Sequence, residues 1–292
     1  MAKGLGLIPE RAEVTEISKY YGVMGKMIKE ELVKLIADDY QELKAIAVQK
    51  KVDTIVNNMN KFVFKWSKRA IPKAYKDSFV KSKIALNILG AQKNNFYNPK
   101  KHLATIERFQ EATAKDYVKA NLSIKTNIAT YIYLLRQASK QMVQVQAFDL
   151  RDEEVISRLL DESIKVGESR QSLMALIRKH FGRELYEQKF ININGRNYNL
   201  ISYAENVART RLRVIQSEAT KNLCEEYDND LIEVSDHGTI CEICKPFEGN
   251  VYSISGSTPG YDTLSEDPPF HPQCEHSIRP TSEIAIKWRE SH

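Results

Sequence analysis

Four residues near the C-terminus have the types and the spacing of a metal site. Cys241 and Cys244 are separated by two residues, and so are His271 and Cys274. Thiolate and imidazole are the ligands that zinc prefers, and a two-residue gap lets both members of a pair reach one ion from a single turn. Three cysteines leave little room for the open position that a catalytic zinc keeps for water, so the pattern favours a structural ion.

His276 is an alternative fourth ligand, because it follows Cys274 by two residues. The 26 residues between Cys244 and His271 exceed the usual zinc-finger spacing, although zinc ribbons and knuckles tolerate long insertions. A loop rich in Gly and Pro would gain stability from a metal clip. The competing interpretation is that His271 only packs and that the cysteines are small buried residues. We expect the fourth cysteine, Cys224, to be buried and apolar in character.

Positive charge is concentrated in the first half of the chain. Residues 1–150 contain 26 Lys and Arg against 14 Asp and Glu, whereas residues 151–292 contain 17 against 24. Eleven basic residues and a single acid lie in one segment, and i,i+4 pairing cannot neutralise this excess. The segment therefore predicts DNA contact without sequence preference; an acidic partner protein and a solvated helix face are the alternatives. The predicted DNA-binding residues are Lys61, Lys65, Lys68, Arg69, Lys73, Lys76, Lys81, Lys83, Lys93, Lys100 and Lys101.

Apolar residues recur at helical spacing through most of this basic half. Residues 14–66 predict two or three helices, or one long pair, with a break near Asp38. Pro72 is predicted to end this stretch, because proline lacks a backbone N–H. A second helix is expected over residues 77–89, and another long helical pattern begins at Leu103.

The second half has a different character. Two short runs that flank Asn194-Gly195 predict a β-hairpin, because a type I′ turn needs two positive φ values. A helix is expected over residues 202–227, followed by a strand at Leu231–Val234. The Gly- and Pro-rich residues 249–269 are expected to be mostly irregular.

These patterns predict a mainly α fold with a boundary near residue 150. Residues 1–150 are expected to form an elongated basic helical domain. Residues 151–292 are expected to form an α+β half that starts with two short helices over 155–181. This half also contains the small β-hairpin and the irregular, zinc-knuckle-like Cys/His segment. The chain lacks a secretory signal pattern and an apolar run long enough for a membrane span, so we expect a soluble protein in a reducing compartment.

Four sequence blocks between Ile191 and Pro280 occur in an order that resembles a known family. The hairpin is followed by Tyr-Ala-Glu-Asn-Val-Ala-Arg-Thr at residues 203–210. Next come an Asp-Cys-Cys-Gly block and a Pro-Pro-x-His-Pro-x-Cys block. The members of the third block are Asp236, Cys241, Cys244 and Gly249. In this order the segment resembles the phage head-morphogenesis, or minor head (minor capsid), family that includes the Mu F-like proteins. Relatives often have a second cysteine where this chain has His276.

The resemblance implies a minor capsid protein of a tailed phage, in the virion interior near the portal and assembled in the bacterial cytoplasm. The implied partners are the portal protein, a scaffold or major capsid protein, and double-stranded DNA during head morphogenesis and DNA packaging or ejection. No membrane partner and no catalytic residue are expected, and the Cys/His spacing leads us to expect a structural zinc as the cofactor. The alternative is a zinc-knuckle nuclease or other DNA-processing enzyme, although residues 245–270 lack the histidines of a nuclease core.

Overall fold

The computed structural model of the chain describes residues 11–37, 42–91, 98–140, 185–271 and 274–291. The helices are α1 (Arg11–Ala37), α2 (Glu42–Ile88), α3 (Pro99–Lys140), α4 (Leu200–Glu226) and the short α5 (Glu283–Glu290). The strands are β1 (Ile191–Ile193), β2 (Arg196–Tyr198), β3 (Leu231–Val234), β4 (Val251–Ser253) and β5 (Ile278–Pro280). The predicted fold class is therefore confirmed: long helices dominate the first half, and small antiparallel sheets lie in the second. The predicted helices over 155–181 and the boundary near residue 150 lie outside the described residues.

The prediction that Pro72 ends a helix is wrong. Helix α2 contains Pro72 in its interior and continues to Ile88, over 47 residues and about 70 Å. Proline leaves the carbonyl four residues earlier, that of Lys68, without its helical N–H donor. The side chain of Gln110 on α3 donates to this carbonyl at 3.3 Å and supplies the missing hydrogen bond. The buried residues Ala70 and Ile71 keep the helix packed through this point.

The hairpin prediction is confirmed. Strands β1 and β2 pair antiparallel around Asn194 and Gly195, which have φ values of 52° and 78°. The side-chain carbonyl of Asn192 accepts from the Gly195 N–H at 3.2 Å, which closes the turn. The Asn192 side chain also donates to Asn197 across the strands at 2.8 Å.

A three-stranded sheet follows α4, and its strand order is β4-β3-β5 with both pairs antiparallel. All four residues of β3 are buried, as the central position of this strand requires. Glu233 on β3 is among them, and Arg279 of β5 donates to its carboxylate at 2.8 Å. The predicted strand at Leu231–Val234 is thus confirmed, whereas the partner strands β4 and β5 were not predicted.

The chain divides into two compact units. One unit consists of the described residues of Met1–Thr15, Phe64–Ala114 and Asn206–His292. The other consists of the described residues of Glu16–Val63 and Lys115–Glu205.

The unit that contains the hairpin is a helical assembly with polar bonds inside its core. The hydroxyl of Tyr21 donates to Asn121 at 2.9 Å, and Asn121 donates to Asn60 at 2.8 Å. The buried Tyr117 hydroxyl donates to the carbonyl of Ala204 at 2.7 Å and so links α3 to the first turns of α4. Near the hairpin, Asn127 of α3 donates to the carbonyl of Phe190 at 3.0 Å.

The unit that contains the three-stranded sheet joins α2, α3 and α4 through a buried polar chain. Glu226 accepts from His102 Nε2 at 2.7 Å, and His102 Nδ1 lies 2.5 Å from the hydroxyl of Tyr75. Asn222 in turn donates to the Tyr75 hydroxyl at 3.0 Å. His102 is therefore a structural histidine. Among the described residues, no helix is long and apolar enough to cross a membrane.

Candidate metal centre

The first cysteine pair lies in a tight turn that follows β3. The N–H of Lys245 donates to the carbonyl of Cys241 at 2.9 Å, which folds the four-residue segment onto itself. This geometry aims the backbone N–H groups of Cys244 and Ile243 at the Cys241 sulfur, and these hydrogen bonds lower the pKa of the Cys241 thiol. Amide donors that stabilise a thiolate make Cys241 a good metal ligand.

The fold brings all five candidate ligands together. Cys241 Sγ lies 3.4 Å from His271 Nε2, which lies 2.9 Å from Cys244 Sγ. Cys244 Sγ is 3.8 Å from Cys274 Sγ, and Cys274 Sγ is 3.4 Å from His276 Nδ1. The five residues form two overlapping triads that share Cys244, and within each triad the ligand atoms lie within 4.8 Å of one another. These groups could hold a metal ion.

Three of these four spacings fit zinc, whereas the 2.9 Å between His271 Nε2 and Cys244 Sγ is shorter than the edge of a tetrahedral site. With bonds of about 2.3 Å to sulfur and 2.0 Å to nitrogen, a tetrahedral zinc separates two sulfurs by about 3.8 Å and a sulfur from a nitrogen by about 3.5 Å. The Cys244–Cys274 distance and the Cys274–His276 distance both match these edges. The distance from Cys241 to His271 also matches. The donor set of three thiols and imidazole nitrogen is one that structural zinc sites use.

The surroundings of Cys244 favour its neutral thiol when no metal is bound. Burial and the neighbouring Cys274 raise the pKa of Cys244 to about 12. Zinc binds thiolate, so binding must displace a proton from Cys244. Burial also lowers the pKa of His276, against the opposing effect of Glu248, and a neutral imidazole is the form that binds metal.

An apolar core surrounds the cluster. The buried Ile232, Val234, Phe270 and Ile278 pack with Cys244 and Cys274. Cys224 belongs to the same core, and burial raises its pKa to about 12, so the prediction of a small buried residue is confirmed.

Two residues of the site could not be predicted from the spacing. Glu248 accepts hydrogen bonds from His276 Nε2 at 3.2 Å and from the backbone N–H of His237 at 2.5 Å. The buried Arg213 of α4 donates to the carbonyl of His276 at 3.4 Å. Burial lowers the pKa of Arg213 to about 10, while Cys274 and Glu275 oppose this shift. Neither residue belongs to a ligand motif, and no local signal marks them.

The predicted DNA-binding residues lie mainly on one helix. Eight of them, from Lys61 to Lys83, are exposed on α2; Lys100 and Lys101 begin α3, and Lys93 lies outside the described residues. Lys73 pairs with Glu13 at 2.7 Å, and Lys101 pairs with Glu225. These positions leave the DNA prediction untested.

Comparisons with known proteins match the C-terminal part of the chain to one family. Residues 160–281 match the sequence model described as phage minor capsid protein 2. The matched range contains the hairpin, α4, β3 and all five candidate ligands, so the resemblance inferred from the sequence blocks is confirmed. No curated protein and no solved structure matches the chain. Residues 160–281 are thus similar to a family of phage minor capsid proteins.

Proposed function

We propose that this protein is a non-enzymatic assembly component of a tailed-phage head that contacts both the portal protein and the packaged DNA. The family match over residues 160–281 carries the proposal. In this role the acidic second half faces protein, and the basic segment of the first half lies along DNA in the capsid interior during packaging or ejection.

The basic face of α2 supports the DNA contact. Lys61, Lys65 and Lys68 follow one another at spacings of four and three, so they share one face of the helix, and Arg69 and Lys76 extend it. All five side chains are exposed. The segment contains no pattern of a base-reading helix, so the contacts go to phosphates and carry no sequence preference.

Salt dependence tests this contact on the full chain. If about five phosphates are neutralised, the logarithm of the DNA association constant should fall against that of the salt concentration with a slope of about −4 to −5. Reversing Lys61, Lys65, Lys68 and Lys76 to Glu should abolish binding while leaving the Glu13–Lys73 ion pair in place. A matched control reverses four exposed lysines outside the segment and should retain most of the affinity. The control positions are Lys19, Lys26, Lys50 and Lys119. Binding that ignores salt, or that survives the reversal of Lys61, Lys65, Lys68 and Lys76, contradicts the proposal.

A structural zinc supports the fold of the C-terminal segment in this proposal. Cys241, Cys244 and Cys274 supply three ligands, and His271 or His276 supplies the fourth. The ion would tie the turn after β3 to the segment that leads into β5, because the ligands come from both. Elemental analysis of protein purified without chelator should give about one zinc per chain. A content well below this value rejects the zinc.

Co-expression with the portal protein of the same phage separates the assembly role from the nuclease alternative. The full-length protein should co-purify with the portal protein and should not cleave plasmid DNA in the presence of divalent metal ions. Robust cleavage that is lost when His271 or His276 becomes Ala, without portal association, would overturn the assembly role in favour of an enzyme.

A further inference from the structure

We propose that Glu248 makes His276 the fourth zinc ligand and that the ion binds at Nδ1. The inference rests on the proposal above that the cluster holds zinc. It assigns a positioning role to a carboxylate that lies outside the ligand pattern, and it chooses between the two histidines.

Backbone hydrogen bonds hold the Glu248 carboxylate in place independently of its contact with His276. Its Oε1 accepts from the backbone N–H of His237 at 2.5 Å, and its Oε2 accepts from that of Thr239 at 2.9 Å. The hydroxyl of Thr239 in turn accepts from the N–H of Cys241 at 3.1 Å. The carboxylate is therefore fixed by the same turn that presents the first cysteine.

These contacts favour the ionised form of the carboxylate. Its Oε1 faces the backbone N–H of His237 and its Oε2 faces that of Thr239, and neither of these groups can accept a proton from it. An ionised carboxylate can only accept, so the His276 Nε2 that lies 3.2 Å away must carry a proton.

This requirement fixes the tautomer of His276. With the proton on Nε2, the neutral imidazole has a lone pair on Nδ1, which lies 3.4 Å from Cys274 Sγ. Cys244 lies within 4.8 Å of both ligand atoms. A lone pair at this distance from Cys274, with Cys244 nearby, is the arrangement that a cation bound by all three would stabilise. Histidine ligands of metals generally donate their other N–H to a carboxylate or a carbonyl, and His276 has this partner in Glu248.

Burial distinguishes the two histidines further. His276 is 3% exposed, whereas His271 is only partly buried. His276 also directly precedes Ser277, whose N–H donates to Ser235 at 3.0 Å at the entrance to β5. A ligand held between a strand and an anchored carboxylate needs little reordering when the ion binds.

Competition with a chromogenic chelator measures the effect of each side chain on zinc affinity in the full-length protein. Glu248→Gln should weaken binding by about 10- to 100-fold, and His276→Ala by at least as much. His271→Ala and the control Glu242→Gln, an exposed acid between the first two cysteines, should change the affinity by less than about threefold. Helix content from circular dichroism confirms that each variant is folded.

A second readout does not depend on affinity. Long-range nitrogen–proton NMR spectra of the zinc-loaded protein should show one metal-bound histidine that is protonated on Nε2 and that disappears in His276→Ala. A metal-bound histidine protonated on Nδ1, lost in His271→Ala, would overturn the inference while preserving the zinc, because His271 faces the sulfurs with Nε2. An unchanged affinity in Glu248→Gln would also overturn it. If the wild-type protein binds no zinc, the proposed metal role itself fails.

Discussion

Glu225 and Glu226 are adjacent at the end of α4, and replacing each with Ala compares an exposed carboxylate with a buried one. The Glu226 side chain is 7% exposed and accepts from His102 Nε2 at 2.7 Å and from the N–H of Asn98 at 3.3 Å. The Glu225 side chain is 70% exposed and pairs with Lys101 at the surface.

The two substitutions should differ by several kcal/mol. Each hydrogen bond to a charged group contributes about 1.5–3 kcal/mol, and breaking a buried pair costs about 3–5 kcal/mol. Removing the Glu226 carboxylate also ends the cost of keeping it out of water, so we expect Glu226→Ala to lower the free energy of unfolding by about 3–4 kcal/mol. Glu225→Ala should cost less than about 1 kcal/mol, because an exposed ion pair is weak.

Urea unfolding of the full-length protein, followed by the helical signal at 222 nm, measures both values. Glu226→Gln keeps the size of the side chain and one acceptor oxygen. Its loss in free energy of unfolding should therefore fall between those of Glu225→Ala and Glu226→Ala. The reasoning is refuted if the Glu226→Ala and Glu225→Ala losses agree within about 1 kcal/mol, because the buried chain would then contribute no more than a surface pair.

Three further predictions concern other parts of the molecule. Gln110→Ala should lower the free energy of unfolding by about 1 kcal/mol in the wild-type chain. The loss should be smaller in a Pro72→Ala background, because residue 72 then donates to the carbonyl of Lys68 itself; urea unfolding of the four proteins of this double-mutant cycle tests the coupling. Gly195→Ala should lower the free energy of unfolding, measured by thermal unfolding, by about 1–2 kcal/mol, because a residue with a Cβ is strained at the positive φ of the turn. In zinc-free protein, Cys241 should react with iodoacetamide before Cys224 and Cys244, because its pKa is lowered and theirs are raised; mass spectrometry of the modified peptides gives the order.

Local patterns in the sequence predicted the elements that local forces determine. Asn194-Gly195 specified the hairpin because the turn needs its two positive φ values, and the apolar spacing located α4 to within two residues at its N-terminal end. The strand at Leu231–Val234 was also predictable from its composition. The cysteine and histidine spacing indicated which side chains could meet, because two residues of each pair lie within one turn.

The remaining features depend on residues that are distant in sequence. Pro72 stays within a helix because Gln110, 42 residues away from the carbonyl of Lys68, replaces the lost donor. The three-residue strands β4 and β5 are too short to give a periodic signal, and they form because β3 lies between them. Glu248 belongs to no local sequence pattern. Its role depends on the hydrogen bonds that it accepts from Thr239 and His276, which form only in the folded chain.

The pairing of α2 and α3 with α4 constrains when the protein can fold during synthesis. Ser78 and Ser82 of α2 are hydrogen-bonded to Thr220, which lies 142 and 138 residues later in the chain. The hydrogen-bond partner of His102, Glu226, lies 124 residues later. At about 5–20 residues per second, a ribosome needs several seconds or more to make that length. During this interval the faces of α2 and α3 that later pack against α4 are exposed, including the apolar Leu86, which is buried with Leu223 and Tyr227 in the folded chain. A nascent chain of this protein should therefore recruit chaperones until α4 emerges from the ribosome, and ribosome profiling of chaperone-bound nascent chains would show release only beyond that point.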